Sequence, residues 1–226
     1  MKTLESHINE ALKIGKNLSK FSTYSCRPTT GQELKMIIND RICREGLKCD
    51  LNDIDVSLIT DMSNIFYRSK FNGDISKWNT SNVTDMKNMF CFSSFNGNIS
   101  DWDVSQVKSM NGMFLCSKFN KDISRWDVSN VTDMYSMFNE SKFNKPIGNW
   151  NVSNVKDMSG LFNESKFNQD LSKWDVSNVT NMDYMFTDSE FDQDISNWKI
   201  NEKCETYDIF AGCKIREEFK PRLPEL

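Results

Sequence analysis

The sequence predicts an α/β repeat solenoid, a stack of about seven 24-residue coils with a helical cap at its N-terminal end. Three observations predict it. Phenylalanine stands at 71, 95, 119, 143, 167 and 191, a constant step of 24 residues. All six tryptophans, Trp78, Trp102, Trp126, Trp150, Trp174 and Trp198, keep that step. So does a second series running from Phe66 through Phe90, Phe114, Phe138, Phe162 and Phe186 to Phe210. A coil this short cannot bury its apolar side alone, so the stack and not the unit must be stable.

The chain opens with 1–46, read as an N-terminal helical cap. Leu4, Ile8, Leu12, Ile14 and Leu18 fall near a 3.6-residue period over 1–22. A connection follows from Ser22 to Gly31, marked by Pro28. Thr30 and Glu33 have the spacing of a capping box, opening a second helix with Leu34, Ile37, Ile38 and Ile42 on one face. That helix ends by Gly46.

Residues 47–214 hold the seven coils. The first, 47–70, carries Leu47, Leu51, Ile54, Val56, Ile59, Met62, Ile65 and Phe66 where later coils carry the same columns of apolar residues. In each coil the pattern Ile75, Trp78, Thr80 suggests a short strand with Trp inward. A Ser81-Asn82 turn leads to Met86, Met89 and Phe90, whose i, i+3, i+4 spacing suggests one or two turns of helix. A bend such as Phe71-Asn72-Gly73-Asp74 returns the chain to the strand. The last coil, 191–214, decays: Lys203 and Thr206 replace a Val and a Met, while Ile209 and Phe210 persist. Residues 215–226, with Pro221 and Pro224, read as a closing tail.

At this point the residues carry a resemblance. The run Phe119-Asn120-Lys121-Asp122-Ile123-Ser124-Arg125-Trp126-Asp127-Val128-Ser129-Asn130-Val131-Thr132-Asp133-Met134-Tyr135-Ser136-Met137-Phe138 resembles the BspA-type leucine-rich-repeat family, with its DUF285-like 24-residue repeats. The likeness covers about 47–210, in five full copies and a decaying sixth. It implies a leucine-rich-repeat-like stack used in adhesion or protein binding.

Charge and motifs narrow the function classes. The 28 basic and 32 acidic residues divide unevenly: 8 and 5 in residues 1–46, 20 and 27 in the remainder, a balance of −7 over the body. An acidic body does not suit direct nucleic-acid binding. The seven cysteines are odd in number and off the repeat, and no CxxC occurs, so free buried or half-buried thiols are expected. The N-terminus lacks the apolar core of a signal peptide and no run reaches the roughly 20 apolar residues of a membrane span, so the expectation is a cytoplasmic chain without membrane contact.

No catalytic, cofactor or metal site is expected. His7 is the lone histidine, and no phosphate loop, nucleophile elbow or zinc spacing occurs. The Asp column at 74, 122, 170 and 194 is interrupted by Asn98 and Pro146 in loops with few glycines, unlike calcium-binding repeats. The Asn column at 72, 96, 120, 144 and 168 reads as an internal ladder that satisfies turn backbone groups.

What remains is the outward face of the strand. Two rows alternate with the inward residues: Lys77, Asp101, Arg125, Asn149, Lys173, Asn197, and Asn79, Asp103, Asp127, Asn151, Asp175, Lys199. Of these, Lys77, Asn79, Asp101, Asp103, Arg125, Asp127, Asn149, Asn151, Lys173 and Asp175 form the candidate protein-binding strip. The expected function is a non-enzymatic protein–protein interaction module. The alternatives are a secreted or surface adhesin of the BspA type, and an acidic nucleic-acid-mimicking inhibitor of a basic nucleic-acid-binding protein.

Overall fold

A computed structural model of the protein describes residues 24–224. The helix expected over 1–22 lies outside the described residues. The second expected helix, α1, spans Gly31–Glu45. Its N-terminus is held as the sequence suggests, with a shift of one partner: Thr30 Oγ1 accepts from Glu33 N at 3.1 Å, while the Glu33 carboxylate accepts from Thr29 N at 2.8 Å. Gly46 at φ 90° ends it. Leu34 and Ile38 are buried in the core, with Ile37 and Ile42 packed at its margin. Arg41 ties the helix to the first coil through Asp53 at 2.9 Å and the Asp50 carbonyl at 3.2 Å.

Residues 47–214 repeat one backbone path, so that the chain is a repeat protein built of stacked 24-residue units. The α/β expectation for each unit does not hold. Among the described residues the coils contain neither a strand nor a helix: they are successions of turns joined by isolated parallel bridges. One column of bridges runs through the whole stack, from Asp61 to Asp85, Ser109, Asp133, Asp157, Asn181 and Glu205.

The hydrogen bonds explain why Met86, Met89 and Phe90 are not on a helix. In coil 119–142, Met137 N and Asn139 N close local turns onto Met134 O and Ser136 O. The alternate donors Met134, Ser136, Phe138 and Glu140 instead reach Asp157 O, Ser159 O, Leu161 O and Asn163 O of the next coil, at 2.8–3.0 Å. A helix would keep all these bonds to itself and leave the units unjoined. The alternation requires left-handed backbone at two positions per coil, seen at Asn64 and Arg68, Asn88 and Phe92, Gly112 and Cys116, Ser136 and Glu140, and onward to Asp208 and Gly212. At Gly112 (φ 59°) a Cβ would also lie 2.2 Å from Asn88 Oδ1, so any larger residue there would have to displace that amide.

Inside the coils the aromatic columns stack. Phe90 lies 5.6 Å from Phe114 and 4.5 Å from Phe95, with nearly parallel rings, and Trp126 lies 6.5 Å from Trp150. The Met and Val columns are buried beside them. Each Trp indole N–H donates to a carbonyl of the preceding coil, as Trp102 does to Ile75 O at 3.1 Å. The Asn ladder is present as read: each side-chain oxygen accepts the backbone N–H one coil on, Asn120 N to Asn96 Oδ1 at 2.9 Å being one rung.

The ends differ from the middle. Ser25 and Cys26 pair with Asp53 and Ile54, so the connection before α1 lies beside the first coil as a partial extra turn. Leu47, expected in the core, is exposed, because the chain enters the first coil there straight from the end of α1. In the last coil Cys204 supplies the buried side chain while Lys203 is exposed, and Thr206 is buried in the Met column. The tail continues the stack for a few residues: Ile215 is buried 24 positions after Phe191, and Phe219, in a turn of 3-10 helix over Glu217–Phe219, accepts from Ile195 N at 3.1 Å. No helix among the described residues is long and apolar enough to cross a membrane.

Candidate interaction surface

All ten residues of the candidate strip are exposed, and the two rows differ in what they do. The row of Asn79, Asp103, Asp127, Asn151 and Asp175 makes turns. Each side-chain oxygen accepts the backbone N–H two residues on, at Ser81, Ser105, Ser129, Ser153 and Ser177, over 3.0–3.2 Å. Asn and Asp favour this local closure over a strand. The Ser129 hydroxyl and backbone hold the Asp127 carboxyl below the usual carboxylate range, and Ser177 does the same for Asp175. One oxygen of each group is therefore committed to the backbone, which the outward-facing assignment alone did not imply.

The other row carries the freer charges. Arg125 Nη2 pairs with Asp101 Oδ1 across coils at 2.8 Å, and Lys173 Nζ reaches Asn149 Oδ1 at 3.3 Å. Both members of the ion pair are about three-quarters exposed, so its net contribution is small. Lys77 has its backbone N–H on Asn52 Oδ1 at 2.7 Å and its side chain in solvent.

The Asp column at 74, 122, 170 and 194 is a second set of turn formers. Their carboxylates accept from Ser76, Ser124, Ser172 and Ser196 N at 2.8–3.0 Å, and these backbone bonds lower all four pKa values. Asn98 accepts the same bond from Ser100 N, so the turn is kept at that position without the charge. Among the described residues no group of three or more His, Cys, Asp or Glu side chains is placed to share a metal ion.

The seven cysteines are free thiols. Six are buried or half-buried as expected; Cys43 is exposed on α1. Burial pushes Cys91 and Cys204 up to about 11, and burial with the neighbouring Glu140 pushes Cys116 up to about 12, so none of these three is an activated nucleophile. His7 lies outside the described residues.

A feature missed in the sequence lies on a different side of the coil. Tyr67 and Phe92 are 38% and 47% exposed and meet edge to face at 6.4 Å. The Arg68 guanidinium sits 5.4 Å from one ring and 5.3 Å from the other. Leu115, half-buried, stands 24 residues after Cys91 at the neighbouring column position. In the later coils the same two positions hold Asn139-Glu140, Asn163-Glu164 and Thr187-Asp188, so the apolar patch is confined to the first coils. Phe92 was the available signal: it belongs to neither 24-residue phenylalanine series, and an apolar residue off the core register has no core position to fill.

The family model described as "Mycoplasma protein of unknown function, DUF285" matches residues 39–142 and 115–220 of the chain. Neither a search of curated proteins nor one of solved structures finds a match.

Proposed function

The chain belongs to the DUF285 family, and from that premise we propose that it is a non-enzymatic protein–protein interaction module. Its stack is a leucine-rich-repeat-like solenoid of the BspA type, and its side surface is offered to a protein partner. The observation that carries this reading is the exposed cluster of Tyr67, Arg68 and Phe92, where two rings meet edge to face beside a guanidinium. Aromatic residues and arginine are the residue types that concentrate binding energy at interfaces. The strip of Lys77, Asp101, Arg125 and Lys173 is a second contact region, suited to orientation and encounter rather than to affinity.

The adhesin reading uses the same surface outside a cell and differs in location alone. The nucleic-acid mimic draws less support. Asp103, Asp127 and Asp175 each commit an oxygen to a turn, and Arg125 and Lys173 stand in the same coils as Asp127 and Asp175, which breaks up the row of negative charge such a mimic needs.

The test is affinity capture from a lysate of the native host with three baits. These are the wild type, a Tyr67→Asn/Phe92→Glu variant that gives the first coils the residues found at 139 and 164, and a Lys77→Ala/Lys173→Ala variant. Loss of a specific partner with the aromatic variant supports the reading. Loss only with the lysine variant moves the contact to the strip. Equal capture by three folded baits contradicts a lateral binding surface.

A further inference from the structure

The two ends of the stack are chemically unlike. In every coil but the last, four alternate backbone N–H groups donate to four carbonyls of the next coil. The last coil has the same four donors, at Thr206, Asp208, Phe210 and Gly212, and they make no backbone hydrogen bond to any described residue. Its intervening carbonyls, at Glu205, Tyr207, Ile209 and Ala211, are already taken by Met182, Tyr184, Phe186 and Asp188. This edge therefore offers donors only. The tail covers the other half of the coil through Ile215 and Phe219, and over this half it sends the Lys220 side chain, whose Nζ lies 5.7 Å from the Phe210 ring. Tyr207 beside it is 59% exposed.

We propose that the edge 206–212 is a docking site for an extended segment of another protein, which adds to the stack as the first turns of a further coil. Such strand addition takes its affinity from backbone bonds and its specificity from alternate side chains. A donor-only edge cannot pair with itself, which excludes a symmetric dimer through this surface. A head-to-tail copy is also opposed. The start of α1 stands over the matching carbonyl edge of the first coil, so close at Gly31 that a Cβ would fall 2.6 Å from the edge carbonyl Asp61 O, and Lys35 Nζ beside that edge binds Asn64 O at 2.7 Å. The occupant is a segment of a different protein with free carbonyls. Exposed Glu202, Glu205 and Asp208 outnumber Lys203 along the edge, and Lys220 already stands at Phe210, so the segment carries Lys or Arg toward Glu205 and Asp208. The site is separate from the lateral patch and does not depend on it.

The test is amide hydrogen exchange on the full chain, followed by NMR, with a peptide of this protein's own sequence 105–118 as probe. That peptide, with Cys116 replaced by serine, has two lysines, no acidic residue and the carbonyl spacing the edge requires. At millimolar concentration it is expected to slow exchange at Thr206, Asp208, Phe210 and Gly212 by about tenfold or more. The acidic peptide 177–190 should protect them less, and Glu205→Lys should weaken the effect of the basic probe. No slowing by the basic peptide overturns the proposal. Equal slowing by inorganic phosphate also overturns it, because the edge would then be an anion site.

Discussion

The indole N–H of Trp126 donates to the carbonyl oxygen of Ile99, 27 residues earlier in the chain, at 3.1 Å. The same bond recurs from Trp78 to Trp198, so each tryptophan both fills its own coil and closes a polar group of the coil before it. Trp126→Ala removes a buried aromatic and leaves that carbonyl with its bond from Trp102 N alone; the expected loss is about 3–5 kcal/mol in urea unfolding. Trp126→Phe keeps most of the volume and should lose less. Arg125→Ala, one residue away and exposed, should change stability by under about 0.5 kcal/mol. Equal effects of Trp126→Ala and Arg125→Ala would place the Trp ladder outside the core.

Glu164 has φ 50° and would lie near the end of the helix that the Met-Met-Phe spacing suggested. In a helix, glycine in its place would cost up to about 1 kcal/mol. In the left-handed conformation glycine relieves a comparable steric penalty. Glu164→Gly is therefore expected to be neutral or stabilising, and Glu164→Val destabilising. A clear loss on Glu164→Gly, measured by thermal unfolding, would favour the helical coil.

The columns of Phe, Trp, Val and Met were legible because a 24-residue step in large apolar residues has few other causes. The conformation between them was not. Met134, Met137 and Phe138 satisfy i, i+3, i+4 in a helix and also in this double turn, since both bring those side chains to one side. Gly112, Gly160 and Asn88 at one column position held the hint, for these residues tolerate positive φ and are poor helix formers. The strip was legible as exposed, but Asp127 does not reveal in sequence that it holds Ser129 N. The aromatic patch is marked in the sequence at Phe92, which stands outside both phenylalanine columns.

Asp122, Asp127 and Asp170 all have folded pKa values below the ordinary 3.8, chiefly through bonds from the serine two residues on. A depressed carboxyl pKa stabilises the fold above its unfolded value, and that stabilisation is lost as pH falls through the folded value. The urea midpoint should hold down to about pH 4 and fall below it. Asn keeps the turn bond without the charge, as Asn98 does. The triple Asp→Asn variant should start lower at neutral pH and lose less on acidification. Parallel pH curves for the two proteins would contradict this assignment.

Leu34 and Ile38 of α1 are buried on the first coil together with Leu51, Ile54 and Val56. Deleting residues 1–46 uncovers that edge and is expected to give aggregation or loss of soluble protein. Size-exclusion chromatography with light scattering reads the outcome. A truncated chain that stays monomeric with an unchanged Tm would make the helical segment a separate module.

The coils hold one another through alternate backbone donors. Residue-resolved amide exchange by NMR on the free protein tests this most directly. Met134, Ser136, Phe138 and Glu140 donate to the next coil at 2.8–3.0 Å and should exchange slowly, near the rate set by global unfolding. Thr206, Asp208, Phe210 and Gly212 occupy the same positions in the last coil and should exchange far faster. Equal protection of the two sets, or rapid exchange at 134–140, would contradict the stack.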